Sequence, residues 1–308
     1  MDQLNGILVL DKPKGLSSAH CLARLKRLGQ KKIGHAGTLD PMATGVLLVL
    51  LGNATKLSGY LLEGGEKTYA GVLRLGFSTD TWDAEGRVIE EHPLSSSELA
   101  AGSALESAVR QAIAAWTGVK EQPVPPYSAA KHQGKPLYKL ARAGMEVPAK
   151  VKSIHISHVE IQQVDLPDVR FRVTCSSGSY IRSLAHSLGS RLGCGATLME
   201  LTREYSHPFG LDVAHGLDEV LEEPEKLAEW VQPIGAALPS WKQISIAPRQ
   251  EGDLRNGKPI PHQKDFGEHC LGLKALILAF DGMPLALAEA RMDKDAPVWA
   301  VLRGLFTP

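Results

Sequence analysis

The apolar residues of this 308-residue chain occur in short runs, and this pattern limits what the chain can fold into. The run Ile7–Leu10 has four residues and the run Val46–Leu51 has six. The first is too short for the core of a signal peptide, and the second is far too short to cross a bilayer. We therefore expect a globular, cytoplasmic protein with no membrane partner.

Charge is balanced in total but segregated along the chain. Lys and Arg number 34 and Asp and Glu also number 34, so net charge by itself does not indicate nucleic-acid binding. Basic residues concentrate in 1–32 and 120–152, and acidic residues in 204–230. A neutral protein with segregated charge can present a basic face to phosphates. Unrelated solvated faces are an equally good interpretation at this point.

Motifs for common cofactors are absent from the sequence. It contains no Walker A motif, no G-x-G-x-x-G after a strand and no H-E-x-x-H. The four cysteines are scattered and include no C-x-x-C pair, which favours reduced thiols over a disulfide framework or a zinc site. The sequence therefore predicts neither a cofactor nor a metal ion.

Hydrophobic periodicity alternates between that of strands and that of helices. Thr68–Leu75 and Val169–Cys175 alternate as strands do, whereas Leu105–Trp116 and Ile181–Leu188 have helical spacing, the latter helix ending at Gly189. The pattern predicts an α+β fold, with a mixed sheet flanked by helices.

Two stretches indicate how the chain is organised: a linker between two domains and an excursion from the first of them. A linker before Ser240 predicts a domain of residues 1–240 and a small β-rich domain of residues 241–308, with a hairpin at Asp281-Gly282. The Pro-rich, basic stretch 120–152 predicts a long exposed excursion from the first domain.

The segment Gly34–Gly45 is the strongest candidate for a site, and it is expected to be a loop. Three glycines allow close approach of a ligand, and Asp40 is held extended because Pro41 follows it. Its carboxylate could be a nucleophile, a general base or a metal ligand. Alternatively, Asp40 caps the turn or helix after Pro41, and local chemistry alone favours this cap.

Six ordered segments resemble the signatures of one enzyme family. They are Leu10–Ser18, Gly34–Gly45, Lys67–Tyr69, Gly76–Asp83, Pro125–Lys131 and Gly178–Arg182. Together they resemble the motifs of the bacterial tRNA pseudouridine-55 synthases, the TruB family. More weakly, Arg249–Lys258 resembles the start of that family's PUA-like RNA-binding domain.

The resemblance implies catalytic roles for three residues. Asp40 matches the aspartate that attacks the target uridine, at C1′ of the ribose or at C6 of the base. Tyr69 matches a tyrosine that packs on the flipped uracil, and Arg182 matches the arginine that pairs with the aspartate. From the residues alone, Tyr69 reads as an ordinary strand aromatic and Arg182 as a surface arginine at a helix start.

Four further residues are expected to bind the substrate. Leu201 matches a leucine that lines the base pocket, although as a bare leucine it reads as core. His35 matches a histidine that helps to unstack the tRNA loop. Lys12 and Lys131, in the two basic regions, are expected to contact RNA.

The family implies a largely antiparallel pseudouridine synthase fold, and a monomer that binds the T-stem-loop of tRNA without a cofactor or a protein partner. Two other functions stay open on the residues alone. One is an RNA-binding module or folding chaperone with an incidental carboxylate. The other is a metal-assisted hydrolase that uses His35 and Asp40.

Overall fold

The computed structural model describes residues 3–63, 65–261, 270–294 and 296–306. Part of the expected second domain, residues 262–269, thus lies outside the described residues. The strands are β1 (Gly6–Lys12), β2 (Ile33–Ala36), β3 (Thr44–Leu51), β4 (Glu66–Leu75), β5 (Phe77–Thr79), β6 (Val88–Glu91), β7 (Glu121–Pro123), β8 (Lys131–His132), β9 (Lys135–Pro136), β10 (Val151–Ser153), β11 (Ile156–Asp165), β12 (Asp168–Ser176), β13 (Ala196–Ser206), β14 (Phe209–Gly210), β15 (His215–Gly216), β16 (Val231–Gln232), β17 (Lys242–Ser245), β18 (Ile260–Pro261), β19 (Lys274–Leu278), β20 (Pro284–Asp293) and β21 (Ala296–Gly304).

The α-helices are fewer than the strands in the described ranges. They are α1 (Ser18–Lys26), α2 (Ser58–Glu63), α3 (Ser96–Leu99), α4 (Ala104–Ala114), α5 (Leu137–Arg142), α6 (Ile181–Leu192), α7 (Leu217–Glu222), α8 (Leu227–Trp230) and α9 (Pro248–Arg255).

A large mixed sheet forms the first part of the chain. Among the described residues it has ten strands, with the order β11-β12-β4-β13-β3-β1-β15, and β14, β16 and β2 pair with β13, β1 and β3. The pairs β13–β3 and β1–β15 are parallel, and the others are antiparallel. The predicted α+β fold with a mixed, largely antiparallel sheet is confirmed.

Both faces of the central strands are buried, which explains their unbroken apolar runs. On one face, Leu8 and Leu47 join a core with side chains of α1, α4, α6 and α7. On the other face, Val9 and Leu48 pack with side chains of β19 and β20. The sheet is therefore a middle layer between helices and the C-terminal strands.

The C-terminal part forms its own five-stranded sheet in the order β17-β19-β20-β21-β18. Its first strand begins at Lys242, close to the expected boundary, and a hairpin joins β19 to β20 through Gly282, whose φ is 84°. Lys56 Nζ donates to the carbonyls of Gly304 (2.9 Å) and Phe306 (2.8 Å), and this ties the C-terminal sheet to the larger one. The division into two domains at residue 240 stays a prediction.

The structure corrects two predicted boundaries. Part of the expected loop Gly34–Gly45 is strand: β2 pairs with β3, and only residues 37–43 are irregular. The helix expected to stop at Gly189 continues to Leu192 and ends at Gly193, which has a left-handed φ of 78°. Gly189 is there for a different reason, because a Cβ on it would lie 2.0 Å from the Ala196 nitrogen. It permits α6 to pack closely on the start of β13.

The basic excursion 120–152 is not wholly exposed, in contrast to the prediction. Gln122, Ser128, Leu137 and Leu140 are buried. Strand β7 pairs with β10, so the segment leaves and returns at one place. It is a packed flap with a buried inner side.

We expect Gly189→Ala to lower the free energy of unfolding by about 1–3 kcal/mol, because the added methyl group overpacks the contact between α6 and β13. Gly59 in α2 is the matched control, since a Cβ there meets nothing within 4 Å. Gly59→Ala should raise stability by about 0.5–1 kcal/mol. Urea unfolding of both variants measures the difference, and equal effects would show that the close approach is unimportant.

Candidate active site

The loop 37–43 is held in place by hydrogen bonds from side chains and from the backbone. Leu39 N donates to Ser18 Oγ (2.9 Å), and the same hydroxyl donates to Leu39 O (3.1 Å). At the start of the loop, Arg203 Nη2 donates to Gly37 O (2.8 Å). At its end, the Pro41 carbonyl accepts from Gly15 N (2.8 Å). These bonds fix the backbone on either side of Asp40.

Lys12 belongs to this support and does not reach the surface. Its side chain is 0% exposed, and Nζ donates to the carbonyls of Pro13 (2.8 Å), Leu16 (2.6 Å) and Pro41 (3.2 Å). Burial lowers the pKa of Lys12, and the nearby Cys21 thiol partly opposes this shift. In place of the RNA contact expected from the sequence, the ammonium group holds the loop that contains Asp40.

The Asp40 carboxylate faces the Arg182 guanidinium. Arg182 Nη2 donates to Asp40 Oδ1 (3.0 Å), and Nε lies 2.9 Å from Oδ2. Arg182 is 3% exposed, whereas the Asp40 side chain is 34% exposed. Because both carboxylate oxygens face the guanidinium, the carboxylate is not the helix or turn cap that local chemistry favoured. It is a fixed carboxylate with one open side.

The guanidinium also links two other segments. Nη1 donates to the Thr81 carbonyl (2.9 Å), and Nη2 donates to the Tyr127 carbonyl in the flap (3.1 Å). The buried Asp83 carboxylate lies 3.5 Å from Nη1 and accepts from Thr81 Oγ1 (2.6 Å). Burial raises the pKa of Asp83, and Arg182 opposes that shift.

Asp83 was not singled out as a site residue from the sequence. Its only signal was its place at the end of the segment Gly76–Asp83, which resembled a family motif. Its contact with Arg182 spans 99 residues of chain, and no local pattern reports such a pair.

Tyr69 and Arg203 are cross-strand partners in β4 and β13, so their side chains share one face of the sheet. Burial raises the pKa of Tyr69, and the neighbouring Arg203, which also hydrogen bonds to it, opposes this shift. Leu201 lies two residues before Arg203 on the same face. Arg203 is itself 0% exposed, and its Nε donates to Val46 O (2.6 Å).

A cavity of about 410 Å³ opens beside Asp40. Its lining includes Asp40, Tyr69, Arg182 and Leu201, so the structure brings four of the predicted residues together. Lining residues also come from the flap and from the turn before α6, which places the cavity between the sheet and the flap. It has the size and the mixed polar and apolar walls of a small-ligand site.

A second cavity, of about 750 Å³, shares Asp40 and Arg182 with the first. His35 lines it, and the Nδ1 atom of His35 is buried without a hydrogen-bond partner in the described part of the chain. Burial lowers the pKa of His35, and Arg203 lowers it further, so the ring is neutral at physiological pH. Lys131 lies in β8, is exposed and lines neither cavity.

Lys67 is a further cation in the first cavity that received no role from the sequence. It is 7% exposed, and Nζ donates to Ser177 Oγ (3.1 Å). Burial and then the nearby Arg203 lower the pKa of Lys67 to about 8. In sequence, its only signal was its place two residues before Tyr69.

With this geometry established, comparison with known proteins identifies the family. A family model described as the TruB family pseudouridylate synthase (N terminal domain) matches residues 25–181. The tRNA pseudouridine synthase B of Nitratidesulfovibrio vulgaris strain Hildenborough is 60% identical over 311 residues, covering 99% of each chain. The chain belongs to the TruB family. Members of this family convert uridine to pseudouridine in tRNA.

Other TruB-family relatives agree over nearly the whole length. The tRNA pseudouridine synthase B of Oleidesulfovibrio alaskensis is 58% identical, covering 99% of this chain and 97% of its own. The protein of the same name from Geotalea uraniireducens is 38% identical, with 98% and 96% covered. The expected family is confirmed by these relatives.

Solved structures support the fold of this TruB-family chain. A Cbf5-Nop10-Gar1 complex contains a chain with a TM-score of 0.70 and 24% identity, covering 98% of this chain and 85% of that one. An H/ACA ribonucleoprotein bound to a substrate RNA with 2′-deoxyuridine has a chain with a TM-score of 0.66 and 22% identity, with the same coverage. At these identities the likeness concerns architecture alone.

Two further features are absent from the described residues. No helix there is both long and apolar enough to span a membrane. The same residues include no group of three or more His, Cys, Asp or Glu side chains arranged to hold a metal ion. His35 and Asp40 therefore lack a third described ligand for the metal-assisted hydrolase considered from the sequence.

We expect Lys12→Met to lower the free energy of unfolding by about 1–3 kcal/mol, because the carbonyls of Pro13 and Leu16 lose this donor and that of Pro41 keeps only Gly15 N. Lys14→Met is the matched control, since Lys14 is exposed in the same segment, and its effect should stay within about 0.5 kcal/mol. Urea unfolding measures both. Equal stabilities would contradict the supporting role of Lys12.

Proposed function

We propose that this chain is a tRNA pseudouridine synthase that isomerises the uridine at position 55, in the T-loop of tRNA. The observation that carries this proposal is the Asp40–Arg182 pair, which presents an oriented carboxylate to a cavity of about 410 Å³. The relatives named tRNA pseudouridine synthase B, up to 60% identical over the full chain, support tRNA as the substrate.

In the proposed reaction, Asp40 is the nucleophile. Its attack leads to cleavage of the bond between C1′ of the ribose and N1 of uracil. The uracil then turns in the cavity and is joined again to C1′ through C5. Arg182 orients the carboxylate through two nitrogens, so its position is set before the substrate arrives. The reaction is an isomerisation, which needs neither a redox change nor phosphate transfer.

The target base must leave the stack of the folded RNA loop, at a cost of about a few kcal/mol. Tyr69 and Leu201 line the cavity that receives the base, and Tyr69 packs against the uracil ring. In the second cavity His35 stacks in the RNA loop in place of the extruded base, which suits a neutral imidazole.

Phosphate contacts from basic residues offset the cost of flipping the base. The flap 120–152 supplies them, and Lys131 is its exposed candidate. The Tyr127 carbonyl of the flap also accepts a hydrogen bond from Arg182 Nη2, so closure of the flap on RNA is coupled to the position of the guanidinium. Residues 241–308 act as a PUA-like domain that binds the RNA at a second place.

The enzyme acts as a monomer and without a protein partner. Asp40, Tyr69 and Arg182 all come from one chain and already meet in one cavity, which supports this proposal. It works in the cytoplasm, where its tRNA substrate is found.

We expect Asp40→Asn to abolish pseudouridine formation in a T-stem-loop transcript, because an amide is not a nucleophile of comparable strength. Asp218→Asn, at an exposed position in α7, is the control and should retain wild-type activity. Carbodiimide treatment followed by primer extension maps the product. Full activity of Asp40→Asn would refute the assignment of the nucleophile.

We expect Arg182→Lys to lower the single-turnover rate by about 10²- to 10³-fold, a loss typical of removing an oriented donor from an active site. An ammonium group keeps the charge but cannot span Asp40, the Thr81 carbonyl and the Tyr127 carbonyl together. Rapid-quench kinetics at saturating tRNA measure the rate. A change below about threefold would show that charge alone is sufficient.

A further inference from the structure

Two cations beside the active site are buried without an acidic partner. Lys67 is 7% exposed and Arg203 is 0% exposed. In the described ranges neither makes an ion pair with a carboxylate, whereas the buried Arg182 pairs with Asp40 and Asp83. Burying a charge is costly unless it is paired and hydrogen bonded. The imbalance indicates that the group bound in this cavity becomes negatively charged during the reaction.

The two cations differ in how many of their donors are already used within the protein. Arg203 donates to the carbonyls of Gly37 and Val46, and it bonds to Tyr69. These bonds occupy its guanidinium within the protein. Lys67 has three N–H donors, and the side-chain bond found for it in the described structure goes to Ser177 Oγ (3.1 Å). Lys67 therefore has donors left for a ligand.

The position of Lys67 directs those donors toward the reacting base. Lys67 and Tyr69 are two residues apart in β4, so both side chains lie on the same face of the sheet and line the same cavity. A Cβ built on Gly37 would lie 2.9 Å from Lys67 Nζ. The ammonium group is thus packed against the loop that contains Asp40, next to the wall formed by Tyr69 and Leu201.

The chemistry of uridine isomerisation places negative charge on the base. When the C1′–N1 bond breaks, its electron pair leaves with the uracil, and the charge is shared among N1, O2 and O4. Attack of Asp40 on C1′ turns the carboxylate into a neutral ester, so the single negative charge passes from Asp40 to the uracil. Attack on C6 instead would place the charge on the enolate oxygen O4. On either route, a cation near the carbonyl oxygens of the base stabilises this charge.

We propose that Lys67 is a further catalytic residue, whose Nζ donates to a carbonyl oxygen of the flipped uracil and stabilises the negative charge that the base acquires. This inference rests on the proposed function. When C5 attacks C1′ and the ester bond breaks, the charge returns to the Asp40 carboxylate. The C5 proton is then lost and N1 gains a proton, while Lys67 stays an ammonium group throughout.

Because Lys67 loses its charge on titration, its role can be tested through the pH dependence of the reaction. Its pKa of about 8 keeps most of the group protonated at neutral pH, and the charge is lost as pH rises through 8. Four other titratable or charged groups surround it: Arg203, Lys152, Cys175 and Tyr69. Asp40 lines the same cavity. Burial raises the pKa of Cys175 to about 11 and raises that of Tyr69 above its usual value, so both stay protonated near pH 8.

The test compares Lys67→Met with Lys67→Arg in the full chain, using a T-stem-loop transcript. We expect Lys67→Met to lower the single-turnover rate by about 10²- to 10³-fold, with RNA affinity unchanged within about threefold, because the charge forms only during reaction. Lys67→Arg keeps the cation and should recover part of that rate. Lys226→Met, an exposed lysine in the acidic region, is the control and should match the wild type.

The pH profile gives a second measurement, and its wild-type arm needs no variant. The wild-type kcat/KM should fall as pH rises through about 8, and the fall should vanish in Lys67→Arg, whose side chain stays charged. A wild-type rate that is flat up to about pH 9 would overturn the inference. So would a Lys67→Met variant with the wild-type rate, or one that loses RNA affinity alone, since the latter result would make Lys67 a phosphate ligand. A wild type that forms no pseudouridine would instead refute the proposed function.

Discussion

The contact between the buried Arg182 guanidinium and the Asp40 carboxylate organises this protein's site. Arg182 lies in the first turn of α6, where the helix dipole disfavours a cation. It is retained there with four partners from three other segments: the loop 37–43, the stretch 81–83 and the flap. One side chain thus connects the proposed nucleophile to the stretch 81–83 and to the flap.

The site contains more positive than negative charge, although the chain as a whole is neutral. The buried cationic side chains of Lys12 and Arg203 donate hydrogen bonds to backbone carbonyls of the loop and of its neighbours. Lys67 adds a third buried cation that faces the cavity. Uridine isomerisation moves negative charge onto the base, and a cationic wall stabilises that charge. In the protein without substrate, the wall has no such charge to stabilise. The same wall would be unfavourable if the cavity only stored an apolar group.

Much of the secondary structure could be predicted from periodicity, since strands and helices with one buried face have distinct repeats. The strands around Thr68–Leu75 and Val169–Cys175 and the helix around Val109 were found in this way. The ends of helices and strands that tertiary packing sets could not be predicted in this way. Gly189 looked like a helix stop, but it is a site of close approach to Ala196. In the acidic region, a 3₁₀ turn that begins at Pro224 separates α7 from α8.

The sequence by itself determined the family, the α+β class and the loop that contains Asp40, because these depend on ordered local motifs and on repeat patterns. Only the tertiary structure decided that Lys12 is a buried support, that Asp83 joins Arg182 and that Lys67 faces the cavity. The physical reason is that burial and ion pairing depend on residues far apart in the chain. A lysine has the same local signature whether it binds a carbonyl in the core, a phosphate at the surface or a reacting base.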